Sequence, residues 1–182
     1  MFKYATGVVA LIAIAGAAQA QDAVPNSDMS KLDMMKGVWS GEAKGYGYDG
    51  KPYTITQTER VGAMLGGDVL VIEGRGYGAD GAMKFNAFGV ISFNKQSQGY
   101  EFRAYNGGFS VTAPLTVTAT GAVWEMPAGP KAIMRFTMDF TGGTWHETGL
   151  YIADGQAPVP TLDMTLMRRS DTDWPAAGAV QP

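Results

Sequence analysis

Hydrophobic and polar residues alternate along most of the chain with a period of two, which is typical of strands that bury one face. The clearest segment is 132–140, where one face carries only apolar side chains: Met134, Phe136, Met138 and Phe140. Segment 162–169 alternates in the same way, which predicts that Met164 points inward and that Arg168 lies on the same face. Nine strands are predicted: 39–48, 53–61, 68–77, 85–94, 100–105, 115–120, 132–140, 145–152 and 162–169.

Short turns separate these segments at regular intervals. Asp49-Gly50, Asp80-Gly81 and Asp154-Gly155 are dipeptides typical of two-residue hairpin turns, and paired glycines mark further breaks. We therefore expect an all-β domain, an antiparallel up-and-down barrel of about eight to ten strands. Closure into a barrel is the simplest way for such a meander to avoid exposed strand edges.

One short helix is predicted before the first strand. Ser30 is suited to cap it, Leu32 and Met35 fall on one face, and Gly37 fits the position after its end. Helical signals then stop, and the glycine-flanked Trp39 begins the run of strands.

The first twenty residues differ from the rest. Lys3 precedes a short apolar run that ends in Ala18-Gln19-Ala20, which predicts a secretory signal peptide at 1–20 and a periplasmic or secreted protein. The segment 21–29 is expected to be a flexible tether, 30–170 the barrel domain and 171–182 a C-terminal tail. We expect no stable membrane insertion once the signal has been removed.

Composition excludes several classes of function. The chain of 182 residues has no cysteine, so neither a disulfide framework nor a thiolate metal site can form. Its net charge is −3 and its basic residues are scattered, which argues against a nucleic-acid partner. No serine lies in a nucleophile elbow, and His146 is the only imidazole, so no catalytic residue is assigned. The oligomeric state stays open.

The sequence Gly37-x-Trp39 resembles the opening of the calycin barrels, which include lipocalins and fatty-acid-binding proteins. In lipocalins this tryptophan begins the first strand behind a short helix, and an arginine from the end of the last strand packs across it. The resemblance implies that Arg168 lies within about 6 Å of the Trp39 ring as a cation–π contact that closes the barrel.

Two narrower resemblances suggest a function. Residues 32–168 look like a bacterial family of exported calycin-like domains of unknown function, through Met64-Leu65-Gly66-Gly67 and Trp145-x-Glu147-x-Gly149 among other motifs. Gly37 to Gly41 also resembles the opening of nitrobindin-like barrels, which hold haem through a histidine near the C-terminus. Here the corresponding strand 162–169 has no histidine and offers Met164 instead.

Several side chains are candidates to contact a ligand. Methionines facing inward would line an adaptable apolar pocket rather than bind Cu(I), since their sulfurs are not closely spaced. His146 could ligate a metal or haem, or be structural, and Glu147 could orient a ligand or pair with an arginine. The ligand-binding candidates are Arg103, Tyr105, Arg135, Met138, His146, Glu147, Tyr151 and Met164.

The leading hypothesis is non-catalytic binding of a small, largely apolar molecule without a cofactor. Inward glycines, among them Gly45, Gly74 and Gly149, would leave room for it, and the pocket would open opposite Trp39. The alternatives are a haem-binding protein, an interaction module with a filled core, and a cofactor-free cyclase or isomerase that uses Glu147 with Tyr151.

Overall fold

The computed structural model describes residues 28–47 and 50–174. The expected signal peptide, most of the tether and residues 175–182 lie outside these ranges. A 3₁₀ helix spans Met29–Met35, a three-residue 3₁₀ turn spans Leu65–Gly67, and neither is long or apolar enough to cross a membrane. The strands are β1 (Gly37–Tyr46), β2 (Pro52–Met64), β3 (Val69–Tyr77), β4 (Met83–Asn94), β5 (Gly99–Asn106), β6 (Phe109–Val117), β7 (Gly121–Pro127), β8 (Ala132–Asp139), β9 (Thr144–Ala153) and β10 (Val159–Ser170).

The ten strands form one closed antiparallel barrel in which every strand pairs with its sequence neighbours and β1 pairs with β10. The predicted fold class is therefore confirmed. The expected strand 115–120 was wrong, because β6 ends at Val117 and a turn closed by Thr118 N–H bonding Gly121 C=O leads into β7. Proline is rare in the interior of strands, so the sequence did not predict that β6 continues through Pro114.

The Met29–Met35 helix covers one end of the barrel, which we call the closed end; the opposite end is the open end. Leu32 and Met35 are fully buried on Trp39, whose indole N–H donates to the Met35 carbonyl at 2.9 Å. The Trp39 ring also meets Phe140 and Trp145 edge to face, with centroids 5.7 and 5.9 Å away. The expected helix and its buried face are confirmed, but the helix begins at Met29, so Ser30 lies inside it and does not occupy the expected cap position.

Arg168 behaves differently from the prediction. It is the register partner of Trp39 across β1 and β10, as expected from antiparallel closure. Its guanidinium, however, bonds the Asp171 carboxylate at 2.5 Å and the Lys36 carbonyl at 3.5 Å, and it makes no cation–π contact with Trp39. The inward prediction was wrong because Arg168 lies at the barrel rim, where its long side chain reaches solvent, while Phe140 and Trp145 occupy the aromatic contacts of Trp39.

The ends of the barrel domain extend beyond the expected limits. Met29, placed in the tether by the sequence, begins the helix and is buried in the core. After β10 the chain turns back onto β2, where Arg60 lies 5.6 Å from the Trp174 ring and 3.4 Å from Asp173. Residues 28–47 and 50–174 therefore pack together.

Gly121 is required where β7 begins. A side-chain carbon at this position would overlap the carbonyl oxygen of Met138 on the neighbouring strand. We predict that Gly121→Ala lowers the free energy of unfolding by about 1–3 kcal/mol, measured by urea denaturation, because β7 must move away from β8. Gly99→Ala is the matched control, since the nearest atom to its new carbon would be 3.8 Å away. Equal losses in the two variants would contradict the close approach.

Candidate functional site

Exposure of the inward-facing side chains increases from the closed end towards the open end. On β2, Val61, Glu59 and Gln57 are buried, whereas Ile55 and Tyr53 on the same face are partly exposed. On β8 the order is the same, with Met138 buried and Phe136 and Met134 partly exposed. Solvent therefore reaches the inner wall from the open end, opposite Trp39.

A buried polar group interrupts the apolar inner wall of β2. Gln57 and Glu59 lie between Ile55 and Val61 on the inward face, and Gln57 Nε2 donates to Glu59 Oε1 at 2.7 Å. Gly74 on β3 pairs with Glu59, and a side-chain carbon there would lie 2.7 and 2.8 Å from the two carboxyl oxygens. The glycine thus makes room for the carboxyl group.

Glu147 supplies a second buried carboxyl from β9. It is the register partner of Met138 on β8 and of Met164 on β10, and all three side chains face inward. Glu147 is 9% exposed, and no hydrogen bond to it forms within residues 28–47 and 50–174. The buried Trp145 indole N–H is near this carboxyl but outside hydrogen-bonding geometry, and it has no other acceptor.

Burial makes both carboxyls weak acids. It raises the pKa of Glu59 to about 8; the hydrogen bond from Gln57 opposes this rise, and the charges of Glu147 and Glu73 add to it. Burial likewise raises the pKa of Glu147 to about 7, with the Trp145 indole N–H partly opposing the rise. We call Glu59 and Glu147 the acid pair, since they are near enough for one charge to raise the pKa of the other.

The inward glycines leave less space than the sequence suggested. The volume beside Gly45 is occupied by the Tyr53 ring, and that beside Gly149 by Phe136 and Leu162. Farther along the wall, Trp124 stacks on Phe136 with a centroid distance of 4.4 Å. Side chains from neighbouring strands therefore fill these gaps, and the accessible interior is set by the partly exposed residues near the open end.

Four of the candidate residues share the inner wall. Met138, Glu147 and Met164 are adjacent across β8, β9 and β10, and Tyr151 lies on the same face of β9 nearer the open end. Alternation predicted the inward faces of Met138 and Met164, but both faces of strand 145–152 carry apolar residues, so the sequence did not decide between Glu147 and His146.

The other four candidates face outward. The expectation that Arg103, Tyr105 and Arg135 line the interior was wrong, and His146, whose face the sequence left open, lies on the outer wall. Arg103 pairs with Glu101 at 3.3 Å, Arg135 pairs with Glu125 at 2.6 Å, and Tyr105 is exposed. The His146 ring lies 3.0 Å from Asp163 on the outside. Each follows an inward residue directly in sequence, so the pleat of the strand places it on the outer wall.

Sequence reasoning missed Gln57 and Glu59. The outward face of β2 is polar, with Thr54, Thr56 and Thr58. Two further polar residues on the inward face therefore left little difference in hydrophobicity between the two faces. The signal that could have found them is their spacing, because they alternate with the same period of two as Tyr53, Ile55 and Val61 and so share their face of the strand.

Two depressions lie on the outside of the barrel wall. One of about 340 Å³ at the open end is lined by residues of β4, the β5–β6 turn and the start of β6, including Phe88, Tyr105 and Phe109. The other, of about 570 Å³ near the closed end, lies between Lys31, Tyr100 and the end of β6. Neither includes the acid pair, and in the described residues no group of three carboxylate or imidazole side chains is arranged to hold a metal ion.

A closed antiparallel barrel with a short helix over one end and a partly accessible interior is the fold of calycin-like, lipocalin-type proteins. Among the solved structures that share this fold are a protein of M. tuberculosis and a lyase of Guillardia theta. The Rv2717c protein of M. tuberculosis is 16% identical, with a TM-score of 0.61 over 80% of this chain and 99% of that one. The S-type phycobiliprotein lyase CPES of Guillardia theta is 8% identical, with a TM-score of 0.56 over 81% of this chain and 95% of that one.

At these identities the similarity concerns the fold alone. No protein-family model matches the sequence, and no curated protein matches it. The chain is therefore assigned to a fold and not to a family.

Proposed function

We propose that the barrel binds one small, largely apolar molecule in its interior without catalysing a reaction, and that the protein acts after export. The observation that carries the proposal is the graded exposure of the inner wall, from buried Met138 to partly exposed Met134 and Tyr151. A molecule entering at the open end would contact thioethers and aromatic rings, which adapt well to apolar ligands. The calycin-like fold, which other ligand-binding proteins share, supports this proposal.

Two alternatives make different predictions about the interior. The filled-core interaction module is favoured by the side chains that cover Gly45 and Gly149 and by the Trp124–Phe136 stack. Haem binding has no imidazole ligand inside the barrel, because His146 faces outward; Met164 is the inward thioether on the last strand, where nitrobindin-like barrels have their histidine. Both alternatives can be tested with the same protein preparation.

Titration of purified protein with the neutral dye Nile red tests the proposal. We expect saturable binding that Met138→Trp reduces at least about tenfold, because an indole in place of a thioether occupies space on the inner wall. Met167→Trp is the matched control on the exposed face of β10, and it should leave binding unchanged. Circular dichroism establishes that both variants are folded.

A parallel titration with haem separates the alternatives. A Soret band together with loss of Nile red binding would favour the haem protein. If the folded protein binds neither the dye nor haem, binding in the interior is wrong and the filled-core interaction module replaces it.

A further inference from the structure

The barrel interior has hydrogen-bond acceptors that the protein leaves unmatched. Gln57 uses its amide donor on Oε1 of Glu59, while Oε2 of Glu59 receives no hydrogen bond from the described residues and Glu147 has only a contact with the Trp145 indole N–H that lies outside hydrogen-bonding geometry. Buried carboxyl groups almost always have partners, because the cost of removing them from water is otherwise uncompensated. The acid pair is therefore incomplete within the chain.

No cation of the described residues neutralises the acid pair. Every lysine and arginine within residues 28–47 and 50–174 is at least partly exposed, and His146 faces outward. Glu73 on β3, whose charge adds to the rise in the pKa of Glu59, faces outward and pairs with Arg75. The interior thus combines apolar walls with two carboxyl groups that have no cationic partner among the described residues.

The wall between the two carboxyls is apolar. The strands between β2 and β9 are β1 and β10, so Glu59 and Glu147 belong to one sector of the barrel. In this sector β1 contributes Ala43 and β10 contributes its register partner Met164, and the buried Trp145 indole N–H beside Glu147 has no acceptor. Unpaired polar groups in an apolar wall are typical of a site that orients a ligand head group.

We propose that the acid pair recognises a cationic nitrogen, so that the ligand is an apolar molecule with a protonated amine group. This inference rests on the proposed function, since the ligand must first enter the barrel. The ammonium group donates hydrogen bonds to Glu147 and to the free oxygen of Glu59, and its apolar part extends past Met138 and Met164 towards the open end. Charge-assisted hydrogen bonds in a low-dielectric interior are stronger than neutral ones, which gives selectivity for an amine.

Binding of such a cation is coupled to proton release. Burial holds the pKa values of Glu59 and Glu147 at about 8 and about 7, so at pH 7 Glu59 is mostly protonated and Glu147 is partly protonated. An ammonium group favours the ionised carboxylates and lowers both pKa values, and protons leave as it binds. A purely structural acid pair would release none.

Displacement of Nile red by decylamine, decanol and decanoate tests the inference, because the three probes differ only in the head group. We expect decylamine to displace the dye at a concentration at least about tenfold lower than decanol, with decanoate weakest. Glu147→Gln and Glu59→Gln should each remove the preference for decylamine while the affinity for decanol is retained. Glu42→Gln, on the exposed face of β1, should leave the preference intact.

Calorimetry of decylamine binding at pH 7 in two buffers of different ionisation enthalpy provides the second measurement. Proton release is expected in the wild type and should be smaller in either Gln variant. Equal displacement by decylamine and decanol, or a preference that survives in both Gln variants, would overturn the inference and leave apolar binding standing. Failure of Nile red itself to bind would overturn the proposed function and this inference with it.

Discussion

Replacing Trp39 with alanine is expected to lower the free energy of unfolding by about 3–5 kcal/mol, the usual cost of removing a fully buried aromatic side chain. Trp39 is 2% exposed and contacts Phe140 and Trp145 edge to face. Its N–H also bonds the Met35 carbonyl at the end of the helix. The substitution therefore leaves a cavity at the closed end and an unsatisfied carbonyl, and urea denaturation followed by circular dichroism measures the loss.

Trp174→Ala is the matched control for this prediction. Trp174 lies on the outside of β2 and contacts Arg60 with a centroid distance of 5.6 Å, so its removal should cost only about 0.5–1 kcal/mol. If Trp39→Ala and Trp174→Ala lowered the free energy of unfolding equally, the closed end would not be the centre of the core.

The stability of the protein is expected to fall as the pH rises from about 5 to about 8. Both acids have folded-state pKa values above the ordinary value of 4.5, so the folded state keeps protons that the unfolded state has already released. The contribution of this pair to stability is greatest at about pH 4.5 or below, and it is lost as the pH approaches the folded-state pKa values. Since one pKa unit corresponds to about 1.4 kcal/mol, the pair should contribute a loss of several kcal/mol.

Other carboxylates titrate in the acid range, so the comparison must isolate the pair. Asp80 and Asp139, whose pKa values are lowered by hydrogen bonds, stabilise the fold above their unfolded pKa and give the opposite trend at low pH. The Glu59→Gln, Glu147→Gln double variant keeps these groups and removes the pair. Urea denaturation at pH 5, 7 and 9 should show a flatter profile in the double variant, and identical profiles would contradict the burial of the two acids.

The sequence predicted the wall of the barrel better than the polar groups inside it. Strong contrast between the two faces of β8 and β10 placed Met138 and Met164 correctly, because burial of one face fixes strand parity. Strand alternation does not predict the position of the Arg168 side chain. Arg168 is the register partner of Trp39, but its long side chain extends at the barrel rim towards Asp171.

The acid pair could be predicted only in part. Glu147 was a candidate, but both faces of strand 145–152 carry apolar residues, so alternation did not decide whether Glu147 or His146 faces inward. The relation of Glu147 to Glu59 depends on four consecutive strands of a closed barrel, β9, β10, β1 and β2. Two residues that are distant in sequence and lie on strands that do not pair directly give no local signal. The outward position of His146, one residue from Glu147, shows how completely a single step along a strand changes a side chain's surroundings.

Isotope-labelled methionine methyl groups offer the most direct test of binding inside the barrel. Met138 and Met164 line the inner wall and are buried, while Met83 and Met167 are exposed on the outside and serve as internal controls. Addition of Nile red should shift the methyl resonances of Met138 and Met164 in a saturable way and leave those of Met83 and Met167 unchanged. Shifts confined to Met83 or Met167, or none at all, would contradict the account and place any binding on the outer surface.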